Sequence, residues 1–320
     1  MAGEFRLDPL TGGWVNIVGH RQNRPNLPAA GCPFCPGGLE APEPYDTRWF
    51  PNRWPALEPG DPIDLAAAEG AGVDIVGAVG ASEVILYSPR HEGSLGSLGV
   101  AQIRKVVDLW AERTGELLAR PEVAYVLVFE SRGAEVGATI HHPHGQLYAY
   151  PFVPPSPAAE ARRQAEVGVD PLGAEVEREV SDGTRVVHDG SDWVAYVPFA
   201  STYPYGVRIA PRTPHDRLDR LAAAARDGLA AAMADVLGRY DRLWAGDPAR
   251  SEIFPYLMWF HQAPADRCLP EGGWPRLHLH LAPPQRSPGV ARYVAAGELG
   301  SGTFSNPVVP EAAAEALRNA

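Results

Sequence analysis

The chain has 320 residues, 45% of them hydrophobic and 21% charged, with 28 Lys and Arg against 39 Asp and Glu and a formal net charge of −11. That length gives core enough for about two domains or one large one, and the acidic balance excludes nucleic-acid binding through a broad basic surface. A small anionic substrate stays open, because it needs only a local group of arginines.

The N-terminal stretch "MAGEFRLDPLTGGWVNIVGHRQNRP" shows no charged-then-apolar leader. The most apolar run, "VAYVLVF" at 123–129, falls far short of the about 20 residues a bilayer requires, so no membrane partner is expected. Residues 1–80 read as strands and irregular loops punctuated by turn clusters such as "CPGGLEAPEP" and "LEPGDP". Cys32, Cys35 and Cys268 are an odd set without a disulfide framework, which predicts a cytoplasmic protein with reduced thiols. "SEVILYS" (82–88) is a predicted strand. An amphipathic helix is predicted over 99–119, with Val100, Ile103, Val107, Trp110 and Leu117 on one stripe. "AYVLVFES" and "GQLYAYPF" follow as strands.

The second half repeats this order. "DWVAYVPF" (192–199) is a strand, "PRTPHDRLDRL" resembles "SPRHEGSLGSL" of the first half, and a long helix is predicted over 221–244. "PYLMWFH" and "RLHLHLAP" (276–283) are then strands, the last falling where the first half has its histidine strand. Two copies of an α+β unit, each an antiparallel sheet with helices packed on it, are expected over 1–170 and 171–320. The copies are unequal, because Ala282 stands where the first has Gln146.

The stretch "HHPHGQLYAY" (141–150) carries three histidines and a glutamine within six positions. Pro143 and Gly145 make it poor helix material, whereas a strand of period two aligns His142, His144 and Gln146 on one face. His144 then has the chemistry of a nucleophile, since imidazole is substantially neutral near its ordinary pKa of about 6.5. Attack on phosphorus needs one ring nitrogen unprotonated and the other held by an acceptor such as a backbone carbonyl. Gln146 can offer an amide NH₂ to a phosphoryl oxygen without competing as a base. The competing reading is a plain metal site using both His142 and His144.

Cys32-Pro33-Phe34-Cys35 admits metal binding, redox chemistry or simple burial. A redox pair should open a helix after a strand, and this one runs into a loop, which favours metal. Two thiolates need two further ligands for tetrahedral zinc, and His91 and His142 are the first-half candidates.

"HPHGQ" preceded by "VFESRGAEVGATI" closely resembles the active-site strand of the galactose-1-phosphate uridylyltransferase family in the histidine-triad superfamily. The resemblance runs in order through "CPFC", "RWFPNRWP", "SPRHE", "WFHQAP" and "RLHLHLAPP". Glutamine at 146, where the nucleotide hydrolases of the superfamily have a third histidine, marks the transferase branch. The resemblance implies a ping-pong reaction in which His144 takes UMP from UDP-glucose and passes it to galactose 1-phosphate. It also implies zinc on Cys32, Cys35, His91 and His142, and a second zinc or iron on Glu160, His261, His278 and His280. Arg21 and Arg24 match phosphate-facing arginines, Phe34 and Asn52 match positions that hold uridine and ribose, and Gly137 and Thr139 flank the phosphates. Ser131 replaces the usual asparagine of that nucleotide-binding stretch. Arg292 and Glu298 match the sugar-contacting segment, where Gly297 replaces a tyrosine. A homodimer is the implied assembly. A related enzyme of the same fold acting on an ADP-sugar is the alternative.

Overall fold

A computed structural model describes residues 3–23 and 31–320, and its strands follow the period-two patterns of the sequence. In chain order these are β1 (Glu4–Leu7), β2 (Trp14–Ile17), β3 (Arg48–Pro51), β4 (Ile75–Gly77), β5 (Ala81–Leu86), β6 (Tyr125–Arg132) and β7 (His144–Tyr150). The second half adds β8 (Val186–Asp189), β9 (Trp193–Tyr196), β10 (Val207–Pro211), β11 (Tyr256–His261) and β12 (His278–Ala282). The helices that pack on them or link them are α1 (Leu65–Gly70), α2 (Val100–Leu118), α3 (Pro155–Val167), α4 (Pro171–Asp182) and α5 (Ala223–Arg242). Among the described residues no helix is long and apolar enough to cross a membrane.

The two expected sheets are one. Nine antiparallel strands run in the order β3-β5-β7-β6-β11-β12-β10-β9-β8, and a separate small sheet has the order β2-β1-β4. The seam is the β6/β11 pairing, with Tyr256 opposite Arg132 and Trp259 opposite Phe129. Read outward from the seam, β6-β7-β5-β3 on one side mirrors β11-β12-β10-β9 on the other. The duplication is therefore present, but with a different match: β10 corresponds to β5, and the expected counterpart, "DWVAYVPF", supplies the next strand out. The short "VRIAP" of β10 is easily overlooked beside the fully buried run of β9.

Cross-strand register fixes what each face carries. Val84, Gln146, Phe129, Trp259, His280 and Arg208 stand opposite one another in sequence across five pairings and share one face. The intervening residues, among them Ile85, Leu147, Val128, Met258, Leu279 and Ile209, form the other face and belong to the main core with α2 and α5. α2 buries Ile103, Val106, Val107, Trp110, Leu117 and Leu118, as its period predicts. Val100 departs from the expected stripe: it is the first helical residue after Gly99, and it is exposed. Arg113 of α2, 1% exposed, donates from Nε and Nη2 to the two carboxylate oxygens of Glu83 at 2.9 and 2.7 Å. Its guanidinium also lies 3.6 Å from the centre of the Trp49 ring, fastening β3 to the helix layer.

Candidate active site and metal centres

β7 begins at His144, so His142 lies in the bend before the strand rather than on it, and is 1% exposed. Within β7 the alternation is strict, and it sets His144, Gln146 and Tyr148 on the face away from the helices. The His144 Nδ1–H donates to the carbonyl of His142 at 2.8 Å, which fixes the tautomer with its lone pair on Nε2. The Phe34 ring meets His144 edge-on, with 5.0 Å between ring centres. Phe34 is itself buried with Phe50, Val84 and Leu86, so the Cys32–Cys35 loop roofs β5 and walls the histidine.

Gln146 is oriented from its other side. Asn52 Nδ2 donates to Gln146 Oε1 at 3.3 Å, which leaves the glutamine NH₂ to meet an incoming oxygen. Asn52 in turn is held by Trp54, whose backbone N–H donates to Asn52 Oδ1 at 2.9 Å. Arg21 Nη1 donates to the Tyr148 hydroxyl at 3.1 Å, bringing that arginine to the same strand face. Arg24 lies outside the described residues. A cleft beside His144 is lined by Ser131, Gly133, Ala138, Ile140 and Ile253. Gly137 adopts a φ of 83°, a left-handed conformation that favours glycine. Thr139 is half-buried just beyond it.

Cys32, Cys35, His91 and His142 converge as the spacing argument suggested. The His142 Nδ1 lies 3.8 Å from the Cys32 Sγ and 3.7 Å from the Cys35 Sγ, and the His91 Nδ1 is 3.5 Å from the Cys35 Sγ. A tetrahedral zinc ion with sulfur at about 2.3 Å and nitrogen at about 2.0–2.1 Å has a sulfur–nitrogen edge of about 3.6 Å. The four residues fit it. The His142 Nε2–H donates to the Ser88 carbonyl at 2.8 Å, turning the Nδ1 lone pair toward the sulfurs. Tyr45, which the sequence reading missed, donates to the Phe34 carbonyl at 2.6 Å and has its hydroxyl 3.0 Å from His142 Nε2. Burial lowers the His142 pKa, and burial together with Cys32 raises that of Cys35. A cation between them would relieve the crowded sulfurs.

The second cluster gathers Glu160, His261, His278 and His280 on the same open face. Glu160 comes from α3 and lies 2.9 Å from the His261 Nδ1 and 3.6 Å from the His278 Nε2. Burial alone would raise the Glu160 pKa, but hydrogen bonds from His261 and His278 outweigh it and hold the carboxyl well below its usual range. His278 repeats the device seen at His144, its Nδ1–H donating to the carbonyl two residues earlier, that of Arg276, at 2.7 Å. Burial and the neighbouring histidines hold His280 well below its ordinary pKa. Its Nε2 is buried without a hydrogen-bond partner, as a metal ligand's would be.

Arg292 and Glu298 are not brought to the His144 cleft. Arg292 donates to Glu298 Oε1, the Ser305 N–H donates to that same oxygen at 2.8 Å, and the Ala295 N–H donates to Oε2 at 2.9 Å. Both carboxylate oxygens are thus engaged within the C-terminal segment.

Family models describing the N-terminal and C-terminal domains of galactose-1-phosphate uridyl transferase match residues 2–154 and 162–320. A galactose-1-phosphate uridylyltransferase of Thermotoga maritima is 35% identical over 324 residues, covering 98% of each chain. An ADP-glucose phosphorylase of Arabidopsis thaliana is 28% identical over 98% of this chain and 92% of its own. A solved structure of a uridylyltransferase mutant superposes with a TM-score of 0.81 at 29% identity, covering 99% of this chain and 98% of that one.

Proposed function

Because the chain belongs to the galactose-1-phosphate uridylyltransferase family, we propose that it moves UMP from UDP-glucose to galactose 1-phosphate through a covalent bond to His144. In the first step the His144 Nε2 lone pair forms a bond to the α-phosphorus, the bond to the bridging oxygen breaks, and glucose 1-phosphate leaves with that electron pair. In the second, a phosphate oxygen of galactose 1-phosphate attacks the same phosphorus, the P–N bond breaks, and UDP-galactose leaves. The proton stays on Nδ1, which donates it to the His142 carbonyl throughout, so the uridylylated ring is cationic and a good leaving group. Gln146 donates its NH₂ to a nonbridging oxygen in both steps, where charge develops. Two in-line inversions give retention at phosphorus.

Cys32, Cys35, His91 and His142 would hold zinc, which supplies a fixed anchor for the peptide whose carbonyl grips His144. Glu160, His261, His278 and His280 would hold a second zinc or iron, remote in role from the reacting atoms. Arg21 and Arg24 are read as phosphate-facing, Phe34, Asn52, Ser131, Gly137 and Thr139 as lining the nucleotide, and Arg292 and Glu298 as sugar-binding, in a homodimer.

The observation that carries this reading is the 2.8 Å bond from His144 Nδ1 to the His142 carbonyl, with Gln146 on the same strand face. Mass spectrometry after exposure to UDP-glucose or to ADP-glucose tests it. A UMP adduct on His144, lost in His144→Gly, is expected; labelling by the ADP-sugar alone would establish the phosphorylase-like alternative, and labelling by neither would end the covalent mechanism.

A further inference from the structure

The strand that carries His144 has a second, hidden support on its other side. Tyr87, fully buried just after β5, directs its hydroxyl beneath the backbone of Gly145, between the two residues that would meet the phosphates. A Cβ at 145 would sit 2.1 Å from that hydroxyl and 3.0 Å from the Phe129 carbonyl oxygen, so the strand lies directly on the phenol. The Tyr87 ring is set by the edge of Trp110 from α2, with 5.7 Å between ring centres. Its hydroxyl donates to Glu130 Oε2 at 3.1 Å, and the Tyr256 hydroxyl donates to Glu130 Oε1 at 3.0 Å.

One carboxyl thus spans the seam, gripping a phenol from each half. Arg132 packs over Tyr256 and bonds Asp241 of α5, which also accepts from the Ser94 hydroxyl at 2.6 Å. A buried carboxyl is costly to desolvate even where hydrogen bonds offset part of the penalty, and well-packed hydrocarbon of similar volume often replaces such a group at no loss of stability. Burial pushes Glu130 up to about 7, against the opposing pull of Arg132 and the two phenols.

We propose that Glu130 and Tyr87 are positioning residues for the transfer reaction, setting the height of the Gly145 peptide and thereby the aim of His144 and Gln146 at phosphorus. This rests on the uridylyl-transfer reading. Neither residue needs to touch substrate: the hydroxyl fixes the strand from beneath, and the carboxyl fixes the hydroxyl. An error of about 1 Å in the approach of nucleophile to phosphorus can cost on the order of 100-fold in rate, so a modest sag of the strand is enough to matter.

The test compares Tyr87→Phe and Glu130→Gln with the unaltered chain, each metal-loaded, by single-turnover labelling with UDP-glucose and by steady-state kinetics. Both variants are expected to label His144 roughly tenfold or more slowly, with KM for UDP-glucose within about twofold. Glu130→Gln is expected to melt no lower than the parent at pH 8, which separates lost aim from lost folding and keeps the test decisive where Tyr87→Phe is unstable. Gly145→Ala is expected to slow labelling too, and to slow it by a smaller factor in the Tyr87→Phe background, because the hydroxyl it strikes is gone. A parent chain that is not labelled overturns the transfer reading and this inference with it. A labelled parent with variants at parental rate, or with KM rising in step with the lost rate, overturns the inference alone.

Discussion

Replacing Glu130 by glutamine is expected to stabilise the protein, and to do so more as pH rises. In the folded chain burial pushes this carboxyl up to about 7, against 4.5 as its ordinary value. Below 4.5 it is protonated in both the folded and unfolded chain, and its ionisation contributes nothing. As pH climbs from 4.5 the unfolded chain gives up the proton first, so folding stability declines, and the loss is complete once pH passes about 7. The difference between the two values corresponds to about 3 kcal/mol at about 1.4 kcal/mol per tenfold change in proton affinity. Glutamine keeps the shape and has no such proton. Any fixed penalty from its altered hydrogen bonds to Tyr87 and Tyr256 is the same at every pH. Urea unfolding of both chains at pH 5 and pH 8 isolates the effect, because metal-linked pH dependence is common to the two and cancels in the difference. The stability difference should move in favour of glutamine by up to about 3 kcal/mol between those pH values. A difference that does not change with pH, or that moves the other way, would refute the account of Glu130 as a buried, reluctant anion.

Two other perturbations follow from the site and its supports. Cys35→Ser should lower bound zinc measured by elemental mass spectrometry, and turnover should fall roughly tenfold or more as the anchor of His142 loosens; full metal content with full activity would refute the ligand assignment. Arg113→Met removes one partner of a pair whose side chains are 1% and 4% exposed and leaves Glu83 buried with its charge uncompensated. The expected loss is about 3–5 kcal/mol in urea unfolding, and a loss under about 1 kcal/mol would show that Glu83 finds relief elsewhere.

Much of the site is legible in the sequence because its parts obey local rules. Period two puts His144 and Gln146 on one face, and the same rule carried two residues further would have reached Tyr148, the partner of Arg21. The "CPFC" pair announces its chemistry by spacing, and the helix over 100–118 by its apolar stripe. What stays hidden depends on contacts between distant segments. Nothing near Glu160 signals that α3 will carry it to histidines about a hundred residues away. Tyr45 and Tyr87 look like ordinary core aromatics, and their hydroxyls acquire meaning only from the carbonyls and carboxylate they meet. The joining of two expected sheets into one is also invisible, because edge-to-edge pairing uses backbone groups that every residue possesses.

That joining decides how the molecule can be divided. Cut between its repeats, each fragment would end in a bare ribbon, β6 or β11, with a row of amides and carbonyls seeking a new neighbour. Co-produced fragments should therefore find one another and rebuild the enzyme, whereas either made alone should precipitate. The two mirrored halves therefore share one sheet, and the β6/β11 seam is as much a part of the fold as any pairing within either half.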